Sequence, residues 1–184
     1  MKKIASFLII AAFSLQATAQ TVEIRSIELD RMIWNGINEY RKSFGHQPVD
    51  EFDTDSLRRV SARVTDRNLN AEVFAHTTGE ARFKGYDTEC IYSLAKSTSS
   101  KPNGPSIYDT VLTQEEMQML ANECVQAWIK SNDHNYLIRC KFVDYSTVTS
   151  VVRLTGTSME FVVSYHDIGD WPGNPKNKYQ KKQK

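Results

Sequence analysis

The sequence predicts an α+β domain on three observations. Apolar residues recur at steps of three and four between Leu29 and Leu69 and again after Thr113, the spacing of helices that bury one face. Beyond Cys140 the spacing changes. The segments VTSVVRL and SMEFVVSYH are rich in the β-branched and aromatic residues that suit a pleated, half-buried surface. The order helix, helix, irregular segment, helix, strands then describes a small antiparallel sheet covered by helices.

Each element has a local reason. Lys2 and Lys3, the apolar run from Ile4 to Leu15 and the small-residue site Ala17-Thr18-Ala19 have the layout of a secretory signal peptide. The run is too short for a stable transmembrane helix. Residues 1–20 are therefore expected to be removed near Ala19-Gln20, giving a secreted, periplasmic or extracellular protein. No cysteine lies near the cut to carry a lipid, and no second long apolar run follows, so an integral membrane protein is not expected. Residues 21–170 suit one domain with an ample core.

Apolar positions Leu29, Ile33, Ile37, Tyr40 and Phe44 form a helical stripe, with Gly45 placed as a C-cap and Pro48 beyond it. A second helix is expected from about Thr54, with Leu57, Val60, Val64 and Leu69 inward. Periodicity fades from Ala71 to Cys90, where Gly79 and Gly85 suggest turns. Ile91–Ala95 reads as a short strand or a helical turn, and KSTSSKPNGPS as a loop. Thr113-Gln-Glu-Glu116 is a capping box, opening a helix with Met117, Leu120, Cys124 and Trp128 on its buried face. The two C-terminal strands, joined through Thr155-Gly156-Thr157, read as a hairpin.

Charge narrows the partners. The chain has 23 basic and 22 acidic residues; loss of Lys2 and Lys3 leaves 21 basic, and setting aside the five lysines of Lys176–Lys184 leaves 16. The folded body is thus acidic, which argues against nucleic acid, while residues 171–184 read as a basic, disordered tail. Cys90, Cys124 and Cys140 are disulfide candidates in an exported chain, but three cysteines leave one over and the pairing open. A reactive thiol at Cys90 is disfavoured, since neighbouring Glu89 raises its pKa; a disulfide there is the stronger expectation. Neither a P-loop, a dinucleotide fingerprint nor a G-x-S-x-G elbow occurs.

Of four histidines, His46 reads as an exposed turn residue and His166 as a strand-end cap or surface residue. His76 and His134 each follow a helix in an irregular segment, where backbone can aim a side chain into a cleft. Trp128 reads as the core anchor of the helix that presents His134.

Five elements in order resemble the CAP superfamily, which includes cysteine-rich secretory proteins, insect antigen 5, plant pathogenesis-related proteins and bacterial SCP-like relatives. These are Asn38-Glu-Tyr-Arg41 with Gly45-His-Gln-Pro48; His76; Arg82 and Gly85 with Glu89-Cys90-Ile91; Trp128, Ser131, His134, Leu137 and Ile138; and the closing hairpin. The chain departs from the family at Cys90, at Asn132-Asp133, and at Ser131, where animal relatives have a second glutamate. The resemblance implies an α-β-α sandwich and a cleft in which His76, His134 and Glu89 hold zinc or another divalent cation, with Ser131 and Asp133 lining it or acting behind the ligands. Two imidazoles and a carboxylate suit zinc with an open position; alternatively Glu89 stands behind the ligands and fixes an imidazole tautomer. The function this implies is non-enzymatic binding of the cation, a small apolar ligand, or an extracellular or envelope protein. Metal-assisted hydrolysis of a peptide or ester at the same cleft, with Asp133 or Glu80 as base, and a purely structural interaction module are the alternatives.

Overall fold

A computed structural model describes residues 21–51, 55–77, 88–97, 112–155 and 158–169. The signal segment, the basic tail and Glu80, Arg82 and Gly85 lie outside the described residues. Among the described residues no helix is long and apolar enough to cross a membrane.

The elements run β1 (Thr21–Ile24), α1 (Ile27–Lys42), β2 (Asp50–Glu51), α2 (Asp55–Asn70), β3 (Thr88–Ser97), α3 (Gln114–Lys130), α4 (Asn132–Ile138), β4 (Val143–Thr155) and β5 (Ser158–Gly169). Ser26 caps α1 by accepting from Leu29 N, and Leu29, Ile33 and Ile37 are buried as their spacing requires. Phe44 is different. It lies past the helix end, exposed, packed on the edge of Tyr40 and beneath Arg139. Gly45 takes φ +72°, a left-handed conformation suited to glycine, as the chain leaves the helix.

The capping box of α3 is formed in both directions, Thr113 with Glu116 N and Glu116 with Thr113 N. Met117, Leu120, Cys124 and Trp128 are all buried. The hairpin is longer than its sequence pattern suggests, β4 and β5 pairing from Thr155↔Ser158 to Val143↔Gly169. Ile91–Ala95 belongs to a ten-residue strand, β3, paired antiparallel along β5. Strands β1 and β2 have no sequence signal of their own. Both lie on the outer edge of β4, β1 antiparallel at one end and β2 parallel at the other, so the sheet order is β1-β4-β5-β3.

Alternation along β4 and β5 gives the sheet two unlike faces. Val148, Val152, Phe161, Val163 and Tyr165 join α1 and α3 in the main core. On this face Trp34 donates to Ser146 Oγ at 3.0 Å, and Ser150 donates to Asp30 at 2.6 Å. The opposite face meets α2 through Leu69, Val151 and Val162 and through hydroxyls. Ser61 and Thr65 of α2 bond Thr149 Oγ1 at 2.7 and 2.9 Å, and Thr65 donates to Ser164 Oγ at 3.0 Å. The protein is thus an α+β fold in which a mainly antiparallel sheet lies between helical layers.

Cys90, Cys124 and Cys140 are free and buried. Cys90 and Cys124 fill the main core, whereas Cys140 packs separately with Val49 and Val143. Burial raises the pKa of both core thiols, with nearby Asp167 and Glu89 adding to the effect at Cys90. They behave as small apolar side chains.

Candidate functional site

Three segments converge at the β3 edge of the sheet. Residues 71–77 leave α2 and turn back against it: Ala75 N donates to Asn68 Oδ1 at 3.0 Å, and Arg67 donates to the Ala75 carbonyl. This tether brings His76 and Thr77 over the start of β3. Glu89, the second residue of β3, stands directly opposite His166 of β5, and directly opposed residues share a sheet face. From the other layer comes α4. His134 is expected in an irregular segment, but the chain bends at Ser131 for one extended residue and resumes as a short helix that carries it.

Helix α4 is held from outside itself. Asn135 Nδ2 donates to the Ile129 carbonyl at 2.5 Å and to Tyr40 Oη at 3.0 Å. The buried Arg41 guanidinium donates to the carbonyls of Ile138 and Cys140 at 2.9 and 2.7 Å, a cation placed where a helix C-terminus concentrates negative charge. Asn38 closes the preceding loop, exchanging bonds with Val49 N and O at 2.8 and 3.1 Å. Arg41 is thus a buried brace at the end of the helix that bears His134, and Asn38 secures the loop that follows α1. Trp128 also fixes it, donating to the Ile91 carbonyl at 3.1 Å with its ring 6.5 Å from that of His134.

The rings of His76 and His134 are 5.7 Å apart, tilted by 45°. Glu89, with 7 % of its side chain exposed, lies behind them. Its Oε1 takes the Thr77 N–H at 2.9 Å and faces His76 Nδ1 at 3.0 Å. Its Oε2 takes the Thr77 hydroxyl and faces His166 Nε2 at 3.2 Å. Burial alone would raise the Glu89 pKa. The bonds from His166, His76 and Thr77 outweigh it and hold the carboxyl well below the usual carboxylate range. His134 is half-buried; burial, and then the neighbouring His76, lower its pKa against an opposing effect of Asp133. The net effect favours the neutral imidazole, the form that binds metal.

Of the candidates, His76, Glu89 and His134 are brought together. Ser131 marks the bend between α3 and α4, and Asp133 is exposed in the first turn of α4. Two participants are not foreseen by the sequence pattern. Thr77 supplies two donors to Glu89. His166, expected as a cap or surface residue, is fully buried, and burial lowers its pKa against the raising effect of Glu89. Alternation with Val162 and Ser164 could have placed His166 on the α2 face, but its pairing with Glu89 depends on register between distant strands.

Among the described residues no group of three or more His, Cys, Asp and Glu side chains is arranged to hold a metal ion, and both oxygens of Glu89 are engaged by His76, Thr77 and His166. The remaining donors are the two imidazoles. At zinc–nitrogen distances of about 2.0–2.1 Å, two imidazoles on one tetrahedral ion have centroids roughly 5 Å apart, close to the spacing here. A polar groove of about 510 Å³ lies at the other end of the sheet. There Arg153 is paired with Glu23 at 2.7 Å and bonded to Asn70 at 2.6 Å.

Fold and site together define an α+β sandwich with a carboxylate-backed pair of histidines at a sheet edge. No family model and no curated protein matches the chain. Among solved structures it is similar to an outer surface protein from Borrelia burgdorferi, with a TM-score of 0.52 over 80 % of this chain and 98 % of that one. Sequence identity is 14 %, so the likeness is one of fold.

Proposed function

We propose that this is an exported CAP-type (SCP-like) protein that binds, without catalysis, a divalent cation such as zinc between His76 and His134. The ordered motif residues and the layered α-β-α architecture support the family reading. The signal-peptide pattern supports export, and so does likeness to a protein described as an outer surface protein. The observation that carries the site is the 5.7 Å approach of two imidazoles from opposite layers. With Nδ1 of His76 turned to Glu89, its Nε2 is left for a ligand, an arrangement common behind metal-bound histidines. Solvent or a donor atom from a bound partner fills the remaining positions. The cation would then serve recognition of an apolar ligand bearing such a donor, or of an extracellular or envelope protein.

Calorimetric titration of the purified protein with zinc tests this. One ion per chain is expected, with the heat abolished in both His134→Ala and His76→Ala. Equal heats in wild type and variants would remove the cation from the proposal and leave a structural interaction module. Peptidase or esterase activity lost on chelation and in both variants would replace binding with metal-assisted hydrolysis.

A further inference from the structure

We infer that His166 is a positioning residue for the cleft: from the sheet interior it sets the orientation of Glu89 and, through it, the tautomer of His76. The inference deepens the cation-binding reading and rests on it for its functional consequence.

The three side chains differ in rigidity. His76 lies outside any helix or strand, and its side chain is 46 % exposed. Nothing in its own backbone fixes which ring nitrogen carries the proton. Glu89 is the second residue of an edge strand, a place where strands fray. His166 is the opposite case: it lies on β5, paired on both sides by β3 and β4, with no exposed surface. The neighbouring pair Thr88 and Asp167 adds a second tie across the same strand end, Thr88 Oγ1 donating to Asp167 at 2.5 Å. His166 can therefore hold Glu89, whereas Glu89 has little power to move His166.

The chemistry then runs outward in one direction. A carboxylate only accepts, so the 3.2 Å contact makes His166 Nε2 a donor to Oε2. With Oε2 held there and both oxygens tied to Thr77, Oε1 has one orientation left. It faces His76 Nδ1 at 3.0 Å, making that nitrogen the protonated one. His76 Nε2 then keeps its lone pair for a ligand. Free imidazole favours the other tautomer, so the buried histidine contributes by biasing an exposed one it does not touch.

Long-range proton–nitrogen NMR of the histidine rings, at a pH above the ordinary histidine range, tests this directly. The wild-type protein is expected to show His76 protonated on Nδ1 and His166 on Nε2. His166→Gln, which retains a donor at similar reach, should preserve the His76 tautomer. His166→Leu should lose it and weaken zinc binding about tenfold, the usual scale for a partner standing behind a ligand. The inference is overturned by a wild-type His76 protonated on Nε2, or by a His166→Leu protein whose His76 tautomer is unchanged. Should the leucine variant fail to fold, the glutamine variant decides, retention of the tautomer supporting the inference and its loss overturning it. Absence of zinc binding in the wild type would end the cation reading, while the tautomer comparison would still judge His166.

Discussion

Asp30 shows at the scale of one residue how burial competes with partners. It sits on the inner side of α1, accepting from Ser150 at 2.6 Å and from Arg58 at 3.1 Å. Even so, burial prevails, with Glu51 adding to it, and the pKa is pushed up to about 6. The folded protein therefore keeps this proton at pH values where the unfolded chain has released it. Its contribution to stability is complete below the unfolded pKa, near 4, and is lost as pH rises through about 6. Asp30→Asn retains the oxygen that Ser150 reaches and removes the titration. In urea unfolding, the variant should gain about 1 kcal/mol relative to wild type on going from pH 5 to pH 7. An unchanged difference would mean that Asp30 ionises like an exposed acid. Glu89, His134 and His166 titrate in the opposite sense, but their effects cancel between variant and parent. Only part of this was legible in the sequence. An aspartate in the first turn of a helix reads as a favourable dipole partner, and its burial follows from β4 lying beneath it.

At the scale of elements, α3 and α4 mark the limits of local pattern. Every determinant of α3 is in the sequence: the capping box, the steps of three and four, and the small or apolar residues that meet α1. Trp128 fills the core where α3, β3 and β5 meet, its ring 6.2 Å from that of Tyr165. Replacement by alanine should cost roughly 3–5 kcal/mol in chemical denaturation through the cavity left behind. A cost below about 0.5 kcal/mol would place the indole at the surface. Helix α4 was not legible. Its seven residues lack a side-chain N-cap bond, and so short a helix is not stable alone. Arg41 and Asn135 tie it to α1 through contacts distant in sequence, and so hold His134 in place.

At the scale of the molecule, the two helical layers are held by different physics. Helices α1 and α3 meet the sheet through a large apolar core, whereas the α2 interface includes the buried hydroxyls Ser61, Thr65, Thr149 and Ser164. Such hydrogen bonds contribute about 1 kcal/mol net apiece, since water offers equivalent ones to the unfolded chain. Native-state hydrogen exchange should therefore find the α2 amides opening at lower free energy than those of α3. Equal values would mean that both layers unfold as one unit. The class of fold was readable from periodicity, because helices and the hairpin are local. The strand order was not, since β1 and β2 are short and gain their meaning only from the edge of β4. The site has the same character: His76, Glu89 and His134 could be named from the sequence, but their meeting depends on the β3–β5 register and on α4. That meeting has a mechanical consequence. His76 hangs from the α2 layer and His134 from the α3–α4 layer, so a ligand that joined the two rings would work as a clasp across the sandwich, loaded when the layers are pulled apart.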